Sequence, residues 1–218
     1  MSRPFVFSPS QQAHNAYTGG RGVESVHMRA ICRVAAARLS SHYGYPALVV
    51  PDYTARYSDS ETYKYAANWS DAQKPAGHLA VHSNAGGGHG TDTFYSPASV
   101  ASKQLAAAVQ KTVAKISPGR DGGIHAQSGW RELAMSCPSA LIEVEFHDNA
   151  EGAKWIATHH TEIGNALADG VAVWLGLRAK KPDPHPGGTA FRRAFLRLPK
   201  RTRVWVLKYI ARWAKTGG

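Results

Sequence analysis

Short apolar runs alternate with segments of helical periodicity over the first 176 residues, and this alternation constrains the possible folds more than any other feature. Apolar runs that are bounded by Pro, Gly, Ser or Asp predict buried strands, and a 3.6-residue apolar period predicts helices. The predicted strands lie at 3–7, 47–50, 78–82, 91–95 and 138–146. The predicted helices lie at about 23–42, 60–71, 97–116 (with Ser96 as N-cap) and 150–176, and 119–136 is expected to be irregular. The pattern predicts an α/β body with a largely parallel sheet.

The positive charge is concentrated at the C-terminal end of the sequence. From Lys180 to Gly218 there are eleven Lys and Arg residues and one acid, Asp183, out of 26 basic and 15 acidic residues in the whole chain. The first 179 residues therefore carry 15 basic and 14 acidic residues and are close to neutral. A Pro/Gly-rich stretch at 180–188 predicts a linker between a body at 1–179 and a basic tail at 189–218.

The tail has the pattern of a basic amphipathic helix. On a helical wheel Arg201, Lys208, Arg212 and Lys215 fall within about 60° of one another, and apolar residues that include Trp213 occupy most of the remaining surface. Such an element is typical of contact with an anionic membrane or wall polymer, although docking on the body remains an alternative. No groove-reading motif accompanies the charge, so we expect no nucleic-acid partner. We also expect a monomer.

A histidine followed by a glycine-rich loop marks a candidate ligand site. The apolar run at 78–82 ends at His82, and Ser83-Asn84-Ala85 then leads into Gly86-Gly87-Gly88. In open α/β sheets ligands bind at such strand ends. A structural histidine that caps the strand is the alternative. Cys32 and Cys137 are predicted to be free thiols, a single disulfide stays open, and their number excludes a four-thiolate zinc site.

Four side chains from separate segments could form a hydrolytic metal site. His14 lies in the loop after the first strand, Glu24 begins the first helix and His82 ends a strand, and two histidines with one carboxylate are a known ligand set for catalytic zinc. Glu143 lies in an apolar strand, where a carboxylate is costly without a cation nearby. A glutamate beside a zinc-activated water is a natural general base. Taken singly, Glu24 could be a plain helix N-terminal carboxylate, and His14 could be a solvated side chain.

Five motifs occur in the order of one enzyme family. They are Ser8-Pro9-Ser10-Gln11 through Asn15 and Tyr17, Glu24 with Met28, His82-Ser83-Asn84-Ala85, Pro138 to Phe146, and His147-Asp148-Asn149 with Ala153, Trp155 and Ile156. With these motifs, residues 3–176 resemble the zinc-dependent N-acetylmuramoyl-L-alanine amidases, whose fold is a twisted sheet flanked by helices. The resemblance implies that His14, Glu24 and His82 bind Zn²⁺ and that Glu143 is the catalytic residue.

The sequence departs from the family pattern at two points. The commonest first motif of the family is Asp-Pro-Gly-His-Gly, but Ser8-Pro9-Ser10-Gln11 stands here and the histidine comes three positions later. Glu145 replaces the small residue that usually lies between the catalytic glutamate and the phenylalanine. Strand alternation would place Glu145 on the same face as Glu143, so a shared or exchanged role stays open.

The implied reaction is hydrolysis of the amide between N-acetylmuramic acid and L-alanine in peptidoglycan, with Asn84 and Ala85 in contact with the substrate. A phage endolysin that lyses its host fits a small catalytic body, a polycationic tail and a beginning without a secretory signal. We then expect synthesis in the cytoplasm and action at the bacterial cell wall after release. The alternative is a non-catalytic wall-binding or membrane-perturbing protein that acts through its tail.

Overall fold

The predicted alternation of strands and helices is present in the computed structural model of the chain, which describes residues 2–179, 195–200 and 202–204. The strands are β1 (Phe5–Pro9), β2 (Ala47–Val49), β3 (Gly77–Asn84), β4 (Gly90–Tyr95), β5 (Arg120–Ala126) and β6 (Ser139–Phe146). The helices are α1 (Glu24–Ser41), α2 (Asp59–Ala72), α3 (Val100–Ala114), α4 (Ala150–Thr158) and α5 (His160–Trp174).

The strands form one six-stranded sheet in the order β2-β1-β3-β6-β4-β5. The pairs β1–β2, β1–β3, β3–β6 and β4–β5 are parallel, and β4–β6 is antiparallel. The fold class predicted from the sequence, a largely parallel sheet flanked by helices, is therefore confirmed.

Alternate side chains of the central strands pack on opposite faces of the sheet. Phe5, Phe7, Leu79, Val81 and Ile142 belong to the main core, together with buried residues of α1, α3, α4 and α5. On the other face Val6 packs with Ala66 of α2, and Ala80 and Leu141 pack with Leu133 from the segment between β5 and β6. This second face matters for the site, because His82 lies two residues beyond Ala80 and Glu143 lies two residues beyond Leu141.

Three predicted element boundaries are wrong. The segment 119–136 contains β5, a largely exposed strand that pairs with β4 alone in the described sheet. Strand propensity does not indicate β5, because Gly and Asp are depleted in strands. The helix predicted at 150–176 is interrupted at His159, whose φ of −121° and ψ of 30° lie outside the helical region. The third helix begins at Val100, and its N-cap is Ser99, whose hydroxyl accepts from the Ser102 N–H at 3.1 Å.

The chain divides into two compact units, Met1–Ala179 and Lys180–Gly218. In the second unit the described residues 195–200 and 202–204 are largely in helical turns, with Leu196 and Val204 exposed. The predicted contact residues of the tail (Arg201, Lys208, Arg212, Trp213 and Lys215) lie outside the described residues. No helix in the described part of the chain has the length and apolar character needed to cross a membrane. Cys32 and Cys137 are both free thiols.

Candidate active site

His82 and Glu143 are neighbours across the two central strands. β3 and β6 pair in parallel with His82 opposite Glu143, and a bulge interrupts the register directly after this pair. Between the pairs His82–Glu143 and Asn84–Phe146, the bulge places two residues of β6, Val144 and Glu145, against one of β3, Ser83. The sheet therefore brings the predicted catalytic glutamate to the strand end that carries His82.

Glu24 is fully buried and has three polar contacts. Its Oε1 lies 3.3 Å from Nδ1 of His82 and accepts from the Ser83 N–H at 3.1 Å, while Oε2 accepts from the Asn15 side-chain amide at 2.7 Å. Burial raises the pKa of Glu24, but His82, Asn15 and the Ser83 N–H together outweigh burial and lower it below its ordinary value. Glu24 is thus a buried carboxylate rather than a plain helix-terminal one, and it binds the end of β3 directly.

Glu132 contacts the other nitrogen of His82 and was not predicted from the sequence. Its Oε2 lies 3.1 Å from Nε2 of His82, and its side chain is 10% exposed. Burial lowers the pKa of His82, but the charges and hydrogen bonds of Glu132 and Glu24 hold it well above the ordinary value. One sequence signal could have indicated that this segment packs on the sheet. Leu133 is an apolar residue in an otherwise polar stretch, and in the structure it packs on Ala80 and Leu141.

Glu143 lies opposite His82, and together with Glu24, His82 and Glu132 it forms what we call the His82 cluster. The Oε2 atom of Glu143 is buried and has no hydrogen-bond partner among the described residues. Burial raises the pKa of Glu143 to about 7; the charge of His82 opposes this, and the charges of Glu24, Glu132 and Asp92 add to it. A buried carboxylate oxygen without a donor is costly, so the chemistry of the cluster favours a cation or a proton at this position.

Glu145 lies apart from this cluster. Its carboxylate accepts from the Gly90 N–H at 2.8 Å and the Ser117 hydroxyl at 3.1 Å. Because the bulge adds one residue to β6 after Glu143, the simple alternation that would place Glu145 beside Glu143 does not apply. Glu145 therefore fixes the start of β4 and the turn after α3.

A second layer of polar contacts supports the end of β3. The Tyr17 hydroxyl donates to Ser83 Oγ at 2.8 Å, and Ser83 Oγ lies 3.0 Å from Nδ1 of His147. In the loop that follows, Asp148 accepts from the N–H groups of Gly86 and Gly87 at 2.6 and 2.9 Å. The loop after Asn84 and Ala85 is therefore held by the residues that follow β6.

A cavity of about 300 Å³ adjoins the Glu132 side of the cluster. Its lining residues are Gln12, Tyr63, Gly129, Trp130, Arg131, Glu132 and Leu141. A larger cavity of about 550 Å³ lies between α3 and α5 and is lined by none of the four clustered residues. The smaller cavity borders the His82 cluster through Glu132.

Comparison with known proteins identifies the family. The sequence profile of the family described as N-acetylmuramoyl-L-alanine amidase matches residues 18–173. This chain belongs to that family. The span of the match includes Glu24, His82, Glu132 and Glu143 of the amidase and begins after His14. No curated protein sequence matches the chain.

Solved amidase structures share the fold at low sequence identity. The catalytic domain of CwlV from Bacillus (Paenibacillus) polymyxa var. colistinus has a TM-score of 0.71 at 18% identity. The match covers 82% of this chain and all of the CwlV domain. The N-acetylmuramoyl-L-alanine amidase from Clostridium difficile 630 has a TM-score of 0.70 at 22% identity, covering 80% of this chain and 97% of its own. The catalytic domain of the CD27L endolysin, which targets Clostridia difficile, has a TM-score of 0.64 at 18% identity. The match covers 78% of this chain and 97% of the endolysin domain. These likenesses establish the amidase fold.

Members of this family are typically zinc enzymes, and the donor set of this amidase fits that ion chemically. An imidazole and buried carboxylates are zinc ligands. Glu143 Oε2 has no donor in the part of the chain that the structure describes. Of the three predicted ligands, Glu24 and His82 are in contact, and His14 is exposed in the loop after β1. In the described ranges no three His, Cys, Asp or Glu side chains are arranged so that they could hold a metal ion. Glu24 and His82 are the two predicted ligands that the fold brings together.

Proposed function

We propose that this amidase uses zinc to hydrolyse the amide between the lactyl group of N-acetylmuramic acid and L-alanine in peptidoglycan. One observation carries the proposal: Glu143 has a buried Oε2 without a partner among the described residues, and it lies in the strand pair that also presents the Glu24–His82 contact. Family membership supports the same reaction.

Glu24 and His82 are the residues that would hold the zinc ion, with His14 as the third ligand expected from the sequence. When bound, zinc polarises the amide carbonyl and lowers the pKa of a water molecule toward about 7. Glu143 accepts the proton of the attacking water at Oε2 and delivers it to the nitrogen as the C–N bond breaks. The products are a lactyl carboxylate and a stem peptide with a free L-alanine amino group.

The substrate would bind along the edge of the sheet at which β3 ends. Asn84 and Ala85 remain our candidates for contact with the stem peptide, since they directly follow His82 and lead into the glycine loop. The cavity beside Glu132 offers about 300 Å³ for an adjoining part of the substrate.

Replacement of Glu143 by Gln tests the catalytic assignment. The substitution keeps the shape of the side chain but removes the proton acceptor, so we expect the hydrolysis rate to fall by about 10²–10⁴-fold. The assay measures new L-alanine amino termini released from purified peptidoglycan. Glu162→Gln on the exposed face of α5 is the matched control and should keep full activity. Hydrolysis by Glu143→Gln at the rate of the unmodified protein would exclude the proposed role.

Removal of metal tests the cofactor in the same assay. A chelator should abolish the release of L-alanine termini, and Zn²⁺ added after removal of the chelator should restore it, because Glu143 alone cannot polarise the carbonyl. Activity that persists in chelator at concentrations that strip zinc would contradict the zinc assignment.

We further propose that the enzyme acts as a phage endolysin and that its basic tail binds an anionic membrane or wall polymer. Support comes from the eleven basic residues at 180–218. Replacing Arg201, Lys208, Arg212 and Lys215 by Gln in the full chain should leave hydrolysis of purified peptidoglycan unchanged but weaken lysis of cells and binding to anionic vesicles. Unchanged lysis and vesicle binding would contradict this role of the tail.

A further inference from the structure

We propose that Glu132 is a positioning residue of the zinc site: it accepts the Nε2–H of His82 and so directs Nδ1 of the ring toward the ion. The inference rests on the proposed function, because it concerns how that same site binds zinc. It assigns a role to a side chain that the family resemblance left without one.

The two nitrogens of His82 face two different carboxylates. Glu24 Oε1 lies 3.3 Å from Nδ1, and Glu132 Oε2 lies 3.1 Å from Nε2. A neutral imidazole that gives one nitrogen to a metal carries its proton on the other nitrogen. Since Glu24 is the ligand that the family pattern implies, Nδ1 is the nitrogen on the metal side. The proton then lies on Nε2, where Glu132 is its acceptor.

Such an acceptor is what metal-binding histidines require. A carboxylate on the second ring nitrogen fixes the tautomer and the orientation of the ring, and it makes the imidazole a stronger ligand. Glu132 meets this requirement from a segment 50 residues away in the chain, so the contact depends on the tertiary fold.

The turn that carries Glu132 is held on both sides. Arg131 donates to Asn68 Oδ1 at 2.8 Å and contacts Asp71 at 3.1 Å, which ties the turn to α2. Leu133 packs on Ala80 and Leu141 of the sheet, and its carbonyl accepts from the Ser139 hydroxyl at 2.9 Å. Glu132 is therefore fixed over the face of the sheet that presents His82, as preorganisation of a ligand requires.

Zinc affinity is the primary test and does not depend on catalysis. The full-length protein and its variants compete with a chromophoric chelator for Zn²⁺ at pH 7. We expect about 10-fold weaker binding for Glu132→Gln, whose amide oxygen still accepts a hydrogen bond, and about 100-fold weaker binding for Glu132→Ala. Glu162→Gln should bind zinc as the unmodified protein does. Glu24→Gln, which removes a ligand, should weaken binding more than either Glu132 variant.

Spectroscopy separates positioning from other roles. In the zinc-loaded protein, ¹H–¹⁵N correlation spectra of the histidine rings should identify His82 as the Nε2–H tautomer. The visible spectrum of the Co²⁺-substituted protein should be the same in Glu132→Gln as in the unmodified protein, because the ligands are unchanged.

Three results would overturn the inference. The first is unchanged zinc affinity in both Glu132 variants, which would make the residue merely structural. The second is an altered Co²⁺ spectrum in Glu132→Gln with a loss as large as that of Glu24→Gln, which would make Glu132 a ligand. The third is metal bound at Nε2 of His82. Failure of the proposed function is distinguishable, since the unmodified protein would then bind no zinc.

Discussion

His78 should make the stability of this amidase sensitive to mild acid. The side chain is fully buried in β3, its Nδ1 lies 2.8 Å from the Ser70 hydroxyl, and its Nε2 has no hydrogen-bond partner among the described residues. Burial lowers the pKa of His78 to about 4, with nearby Glu132 and Asp71 opposing the shift. The perturbation to test is His78→Asn, which removes the titrating ring and keeps a partner for Ser70.

The sign and size of the effect follow from linkage. A histidine in the unfolded chain has a pKa of about 6.5, so between pH 6.5 and 4 the unfolded state binds more protons than the folded state. The contribution of His78 to stability is complete above pH 6.5 and is lost as the pH falls toward 4. The loss amounts to about 2 kcal/mol at pH 5 and about 3 kcal/mol at pH 4.

Urea unfolding followed by circular dichroism at pH 7 and pH 5 measures this loss, with chelator present so that metal binding does not contribute. The decrease in unfolding free energy between the two pH values should be about 2 kcal/mol smaller in His78→Asn than in the unmodified protein. His42→Asn, in a half-buried histidine after α1, is the control and should keep the original decrease. Equal decreases in His78→Asn and the unmodified protein would refute the argument.

The remaining predictions concern the packing of the helices and can be checked by the same unfolding assay. Gly164→Ala should destabilise the protein by about 1–2 kcal/mol. The new Cβ would lie 2.6 Å from Val34 Cβ and 2.7 Å from the Ile31 carbonyl oxygen. The higher helix propensity of Ala offsets only part of this clash. Val173→Ala on the exposed face of α5 should change the unfolding free energy by less than about 0.5 kcal/mol, and an equal effect of both substitutions would contradict the packing argument. Ser99→Ala should cost about 1 kcal/mol through loss of the N-cap of α3, and no loss would mean that this cap does not stabilise the helix.

Much of the candidate site could be predicted because its signals are local. A histidine at the end of an apolar run predicted His82 at a strand end, and both its place and its partner Glu24 are present in the structure. A carboxylate in an apolar strand predicted that Glu143 needs a compensating group. In the structure its Oε2 is buried without a hydrogen-bond partner among the described residues, and the compensating group stays a prediction. The position of the His14 side chain could not be predicted from a local pattern, because a polar loop has no periodicity that tells which way a side chain points.

The sequence by itself determined the α/β class and the two faces of the central strands, since strand alternation and helical periodicity are read within a few residues of one another. Only the tertiary structure decided what meets at the end of β3. The bulge in β6 moved Glu145 away to Gly90 and Ser117, and the turn at Trp130 to Ala134 brought Glu132 to His82. Such contacts join residues that are distant in sequence, and they depend on how the whole sheet and its covering segments pack, which no local pattern encodes.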